Sequence, residues 1–429
     1  MAHSGETQER TTCCIVGGGP AGMMLGLLLA RAGVRVTVLE KHRDFLRDFR
    51  GDTVHPSTLR LLDELGLGAR FAALPAGRLD EMRIRIGTST VTLADFRRMP
   101  GRTPHKYIAM VPQWDFLDLL AEAAAAEPTF TLRRSTAVTG LTTLSDGRVT
   151  GVRLTDEHGT AGELAADLVV ACDGRGSVVA RAAGLRQNPY EVPMDVWQVR
   201  VPAPAPDSAH SGRVLGYFGD GQVAVTMDRG DWFQTSYLIK KGTDAELRRQ
   251  DVSVLRERLG LLFGWGAETT AAIASWDDVK MLDVTMGRLP RWYTDGLLCI
   301  GDAAHTMSPV GGVGVNLAVQ DAVATARLLA GPLLHGRVQE ADLARVQKRR
   351  ALPMAVTQKS QLAEHDLLIR PALDGTLDRV PLPMRLTRRF PLLQGIGAYV
   401  GGMGVRPEHA PQFARRAPAA PVSGRRPAA

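Results

Sequence analysis

Cysteine is scarce, four in 429 residues. Cys13, Cys14, Cys172 and Cys299 each sit in an apolar run, and none has metal-ligand or CxxC spacing, which excludes a zinc ribbon and a dithiol redox centre and predicts buried, reduced thiols. The opening MAHSGETQERTT has no signal-like apolar stretch, and the apolar run from Pro20 meets Arg31 too early to span a bilayer. A cytosolic protein without stable membrane insertion is expected. There is no fixed-period repeat, no heptad array and no Ser or Cys nucleophile signature. The net charge of +7 is no nucleic-acid signal, because Arg406, Arg415, Arg416, Arg425 and Arg426 outnumber Glu408 in an Ala- and Pro-rich end and supply more than half of it. Residues 406–429 therefore read as a solvated, disordered basic tail.

What is present is globular: 45% hydrophobic and 23% charged residues, at a length that suits two domains. TCCIVGGGPAGMMLGLLLARAGVRVTVLEK reads as strand, glycine turn, helix and strand, a βαβ unit in which Met23 and Met24 are core. STLRLLDELGL carries leucines at helical spacing, with Ser57 as its N-cap. From Glu81 to Leu93 the period changes to two, and hairpin signals recur from Gly212 to Ile239 at Gly219-Asp220-Gly221 and Asp228-Arg229-Gly230. These segments read as an antiparallel second domain threaded between pieces of the first. After Thr285 come a strand (296–300), a glycine loop (307–315) and a long helix from Asn316, with helical pattern to about Leu368.

Three motifs carry chemistry. Gly17-Gly18-Gly19-Pro20-Ala21-Gly22 lies between strand and helix, with Glu40 ending the next strand beside Lys41. Such glycines permit a tight turn and close approach of a pyrophosphate, the helix N-terminus supplies N–H groups, and Glu40 would accept from ribose hydroxyls. Asp173-Gly174 ends the apolar run LAADLVVACDG, where an acid at a strand's carboxyl end meets ligands of α/β sheets. LLCIGDAAHTMSPVGGVGVNLAVQDA repeats the pattern with Gly301-Asp302, then a glycine loop running into a helix. Backbone N–H groups of Gly311 to Val315 at that helix start would stabilise an anion. His305 reads as a structural hydrogen-bonding residue rather than a base.

Together the three motifs resemble the p-hydroxybenzoate hydroxylase family of single-component FAD-dependent monooxygenases. The resemblance implies an α/β fold: a Rossmann-like FAD-binding domain from residues 11–75, 105–185 and 280–400, with an interleaved antiparallel-sheet substrate domain from 76–104 and 186–279. It implies non-covalent FAD, NAD(P)H as reductant, and O2 activated as C4a-hydroperoxyflavin to hydroxylate a small aromatic or polyketide-like molecule. In that reading Gly17, Gly19, Pro20, Ala21, Gly22, Glu40, Lys41, Arg50, Gln113, Asp173, Gly174, Gly301, Asp302, Gly312, Gly314, Val315 and Asn316 contact FAD. Asp302 bonds the ribityl chain, while Pro309, Gly311, Gly312 and Val313 face the flavin's reactive edge. The protein's task is then to bind, orient and exclude water.

Substrate contacts are expected from the middle sheet, with Trp197, Arg200, Tyr217, Gln234 and Tyr237 as candidates on one side or the other. Any homodimer must form through the two domains themselves. No second GxGxxG marks a separate nicotinamide domain. The alternatives of the same fold are an FADH2-dependent halogenase, whose Trp-x-Trp-x-Ile-Pro signature is missing, and an isoprenoid reductase. A non-catalytic flavin-binding protein would keep Glu40 and Asp302 without needing a substrate pocket.

Overall fold

Strand β1 (Arg10–Val16), helix α1 (Pro20–Arg31) and strand β2 (Val36–Leu39) build the βαβ unit. α1 is apolar all round because it is covered all round: Met23 and Met24 are fully buried. Its Pro20 occupies a first-turn position, where a missing N–H costs nothing. The computed structural model describes residues 9–46, 53–203, 213–229, 231–336 and 338–417. Helices α2 (Pro56–Glu64) and α3 (Gln113–Ala125) follow, with strands β3 (Phe130–Arg133), β4 (Ala161–Ala171) and β5 (Leu297–Cys299). The five strands pair in parallel in the order β3-β2-β1-β4-β5. β2, β5 and the carboxyl ends of β1 and β4 are buried on both faces and read as continuous apolar runs, whereas the edge strand β3 is half-exposed. This order sets the carboxyl ends of β1, β4 and β5 side by side, and a glycine turn follows each.

A second, seven-stranded sheet runs in the order 280–282, 194–202, 232–240, 222–228, 213–219, 81–86, 89–95. It is antiparallel except where its two sequence segments meet: Arg213–Gly219 lies parallel to Glu81–Ile86. One face carries Trp197, Val199, Phe233 and Tyr237 and is covered by helix α4 (Ser253–Phe263) with Trp265. The other carries Val196, Phe218, Val223 and Leu238 and packs on Met286, Leu368, Ile369 and Val310, toward the glycine loop.

Helices α5 (Gly314–Leu334) and α6 (Glu340–Glu364) complete the nucleotide-binding half, and α6 continues as a π-helical turn, His365–Ile369. The segment from Val310 through α5 is long and apolar enough to cross a membrane, yet it is a core element with Val319, Ala322 and Val323 fully buried. Helices α7 (Leu382–Arg389) and α8 (Pro391–Met403) pack on strand Ser89–Asp95 of the second sheet, and Lys280–Leu282 joins that sheet too. These segments fall within the stretch expected to serve the FAD-binding half. The disordered tail is also corrected over its described part. Residues 407–417 are docked: Glu408 is buried with Arg327 and Arg349 on its carboxylate at 2.7 and 2.6 Å, and Arg31 donates to the Ala414 carbonyl at 2.8 Å. Residues 418–429 lie outside the described residues.

Candidate active site

Each motif glycine has a steric reason. Gly17 has φ +102°, and a Cβ there would sit 2.5 Å from the Cys172 carbonyl oxygen and 2.9 Å from the Asp173 Cα. The first motif therefore abuts the second. A Cβ on Gly22 would meet the Gly17 oxygen at 1.9 Å, whereas at Gly19 nothing lies within 4 Å, so the turn is open on the side where a pyrophosphate would rest. α1 has no side-chain cap, which leaves its first-turn N–H groups, including those of Ala21 and Gly22, without intrahelical partners. Glu40 is buried, and its carboxylate accepts from Gly18 N at 2.8 Å and His42 N at 3.0 Å, fixing the acid beside the turn; Lys41 is exposed.

Asp173 caps the short helix Val178–Ala182 through one oxygen, accepting from Val178 N at 2.8 Å. Its other oxygen, Oδ1, is buried without a partner. Burial pushes this carboxyl above its ordinary range, against the pull of Ser177 and the local N–H groups. Gly174, at φ +80°, faces open space. The uncapped turn, the buried Glu40 and the unpartnered Asp173 oxygen together fit the adenosine and pyrophosphate half of FAD.

The third motif joins the same place, since a Cβ on Gly301 would touch Ala21 of α1 and Ala318 of α5 at 3.4 and 3.3 Å. Asp302 is half-buried, and Gln187 Nε2 donates to its carbonyl at 2.9 Å. Beneath it runs a buried ionic chain. Asp321 on α5 accepts from Gly301 N at 3.2 Å, from Arg350 Nε at 2.8 Å, and pairs with His305 Nε2 at 2.6 Å. Burial alone would raise the Asp321 carboxyl, but His305 and Arg350 outweigh it and hold it below the usual range. His305 is thus structural, as its sequence context suggested.

Pro309 is exposed and opens a turn in which Gly312 N donates to the Pro309 carbonyl at 3.1 Å. That N–H is therefore engaged in the turn, and the donors left over by the helix start are those of Gly314, Val315 and Asn316, where α5 lacks a side-chain cap. Gly311 and Gly312 have φ +77° and +62°, and Val313 is the N-cap. Thr53 Oγ1 donates to the Gly312 carbonyl at 2.9 Å, and His55 Nε2 lies 3.1 Å from it. Ser57 is not the cap of α2, which starts at Pro56; it and Thr58 reach Asn316 Oδ1 at 2.8 and 2.7 Å. The loop before Pro309 is held by α6, where Gln361 bonds Ser308 and Val310 backbone and His365 Nε2 meets Ser308 Oγ at 2.9 Å. Sequence reasoning missed this seam, although Gln358, Gln361 and His365 stand at helical spacing. Gln113 begins α3, half-buried; Arg50 lies outside the described residues.

The middle sheet sorts the substrate candidates. Trp197 and Tyr237 are stacked on each other under the α4 layer, Trp197 donating to Asp244 Oδ1 at 2.6 Å, and Tyr217 packs against the same cluster. These three are corrected: they face away from the glycine loop, because alternation puts residues 197, 217 and 237 on the helix-covered side. Gln234 and Arg200, paired across strands, share the opposite face with Val196 and Leu238. Gln198 joins them and was missed. Gln198 and Gln234 are 7% and 5% exposed, and the Oε1 atom of each is buried without a partner.

This geometry is that of an α/β nucleotide-binding fold with a second sheet laid over its third glycine loop. The FAD binding domain family matches residues 10–360, and the chain belongs to it, as an FAD-dependent aromatic monooxygenase of the p-hydroxybenzoate hydroxylase type. A 6-methylpretetramide 4-monooxygenase of Streptomyces rimosus is 34% identical over 395 residues, covering 89% of this chain and 92% of that protein. The solved anhydrotetracycline hydroxylase from Streptomyces rimosus gives a TM-score of 0.71 at 26% identity, over 92% of this chain and 77% of that one. A myxobacterial chondrochloren halogenase reaches 0.72 at 19%, over 91% of each, a likeness of fold alone.

Proposed function

We propose that the enzyme hydroxylates a phenolic, fused-ring molecule of aromatic-polyketide type in the cytosol, using NAD(P)H and O2 and non-covalently held FAD. Bound FAD supplies the reducible centre that activates O2; the chain binds, orients and keeps water out. The adenosine half would rest on Gly17, Gly19, Pro20, Ala21, Gly22 and Glu40, and the ribityl side near Asp302. Gly314, Val315 and Asn316 would turn their N–H groups toward the ring system.

The observation that carries the substrate reading is the pair Gln198 and Gln234. A buried amide oxygen without a partner costs about 1–3 kcal/mol, which supports reading this face as one that a polar guest completes. An amide can turn to offer N–H groups instead, so the pair suits a rim bearing both hydroxyl and carbonyl oxygens. The relatives above are named for 6-methylpretetramide and anhydrotetracycline, which supports a substrate of this class.

The test is a screen of simple phenols and fused-ring aromatic polyketides for stimulated NAD(P)H oxidation and a product heavier by one oxygen. The expected result is stimulation by the fused-ring class, with Gln234→Leu raising KM about tenfold, the worth of one hydrogen bond. Halide-dependent turnover, or no stimulation by any aromatic, would overturn the reading.

A further inference from the structure

Helix α8 is inverted for a helix facing water. Its inward positions are small: a Cβ on Gly395 would sit 2.3 Å from the Arg98 carbonyl oxygen, Ala398 is fully buried, and a Cβ on Gly402 would press on Pro56 and Phe96 at 3.0 and 3.1 Å. Its outward positions are Leu392, Leu393, Ile396, Tyr399 and Val400, exposed by 36–71%. α7 continues the surface with Leu382 and Leu386, and Phe390 lies between the two helices. Eight of the sixteen large apolar side chains exposed among the described residues thus lie between Leu382 and Val400. Monomeric proteins rarely leave such a contiguous patch uncovered.

The charge beside the patch is of one sign. No Asp or Glu occurs between Arg379 and Pro407, while Arg385, Arg388 and Arg389 stand exposed on α7. Among the described residues none of the three is paired with an acid; Arg385 donates to the Val380 carbonyl. The nearby acids, Glu81 and Asp95, are already engaged by Arg83, Arg97 and Arg98. A second copy would bring this patch against itself about a two-fold axis, cation toward cation, which opposes self-pairing.

We propose that the α7–α8 face docks on an anionic phospholipid surface, the leucines, Phe390 and Ile396 entering the headgroup boundary and the α7 arginines meeting lipid phosphates. A helix lying in the interface needs such a pairing of apolar face and cationic rim. α8, with 13 residues, is too short to span a bilayer, which takes about 20. The contact is peripheral, made by the outward side chains of α7 and α8.

The experiment is co-sedimentation of the purified holoprotein with phosphatidylcholine vesicles, with and without phosphatidylglycerol, alongside light scattering. Binding is expected only to the phosphatidylglycerol vesicles and to weaken with salt. Leu392→Gln/Ile396→Gln should reduce it about tenfold or more, and so should Arg388→Gln/Arg389→Gln, while both variants keep the bound-flavin spectrum. Failure to pellet with anionic vesicles, or equal binding to neutral ones, overturns the proposal. So does a concentration-dependent dimer that Leu392→Gln/Ile396→Gln abolishes, or preference for soluble polyglutamate over vesicles.

Discussion

Asp321 has no route to water, and three groups depend on it: Gly301 N–H, His305 and Arg350. Removing one member of a buried ionic chain costs far more than the chain as a whole contributes, because the others stay buried and unpaired. Asp321→Asn is expected to lower unfolding free energy by about 3–5 kcal/mol in urea titration, and to release flavin earlier than the protein unfolds. A loss under about 1 kcal/mol would mean that water reaches Arg350 and His305 after all. The role of His305 was legible because a histidine just past an acid-bearing strand end has few other uses. Asp321 itself was not, since an acid inside an Ala-rich helix shows its partner only when Arg350 arrives 29 positions later.

At the scale of elements, the loop that would face the flavin is pinned from two sides, by Thr53 and His55 on Gly312 and by the Gln361 and His365 seam of α6 on residues 308–310. Burial pushes His365 below its ordinary range, with Arg370 adding to the shift and Asp366 opposing it. Its folded form is therefore neutral and the unfolded chain takes the proton more readily. Stability from this group is full above roughly pH 6.5 and declines as pH falls below it. Thermal melts between pH 5 and 8 should show wild type losing more on acidification than His365→Gln; parallel curves would remove His365 from the seam. Gln361→Leu should loosen the loop and divert reducing equivalents to H2O2, measured as peroxide formed per NAD(P)H consumed. The three glycine motifs were readable because each is local, a strand end plus a turn. The sheet face was not: both faces of the middle sheet are covered, so Trp197 and Gln198 look equally suited to a pocket until α4 is seen to take one side.

For the whole molecule, the end of the described chain acts as a clasp. Glu408 binds Arg327 and Arg349 and lies 3.8 Å from Arg350, while Glu64 holds His409 and the Ala410 N–H. Glu408→Gln is expected to cost roughly 1.5–3 kcal/mol, the range for hydrogen bonds to charged groups, and to lower Tm by about 1 °C per kcal/mol at this size. An unchanged Tm would show that the clasp is only a surface contact. Composition could not reveal it: Ala, Pro and Arg without large apolar residues read as solvated, and Glu408 meets Arg349 and Arg327 59 and 81 positions away.

The strand order also sets a timetable for synthesis. β1 pairs with β4, β4 with β5, and the acid that closes the arginine cluster is Glu408. As the chain leaves the ribosome, β1 and β2 can pair early, but the strand that finishes the nucleotide half emerges only after the whole inserted sheet has been made. The glycine turn of the first motif must therefore wait, half built, until Gly301 has been made. Contacts so distant in sequence slow folding, and a site assembled from three such turns can close on its cofactor only after the inserted sheet has been made.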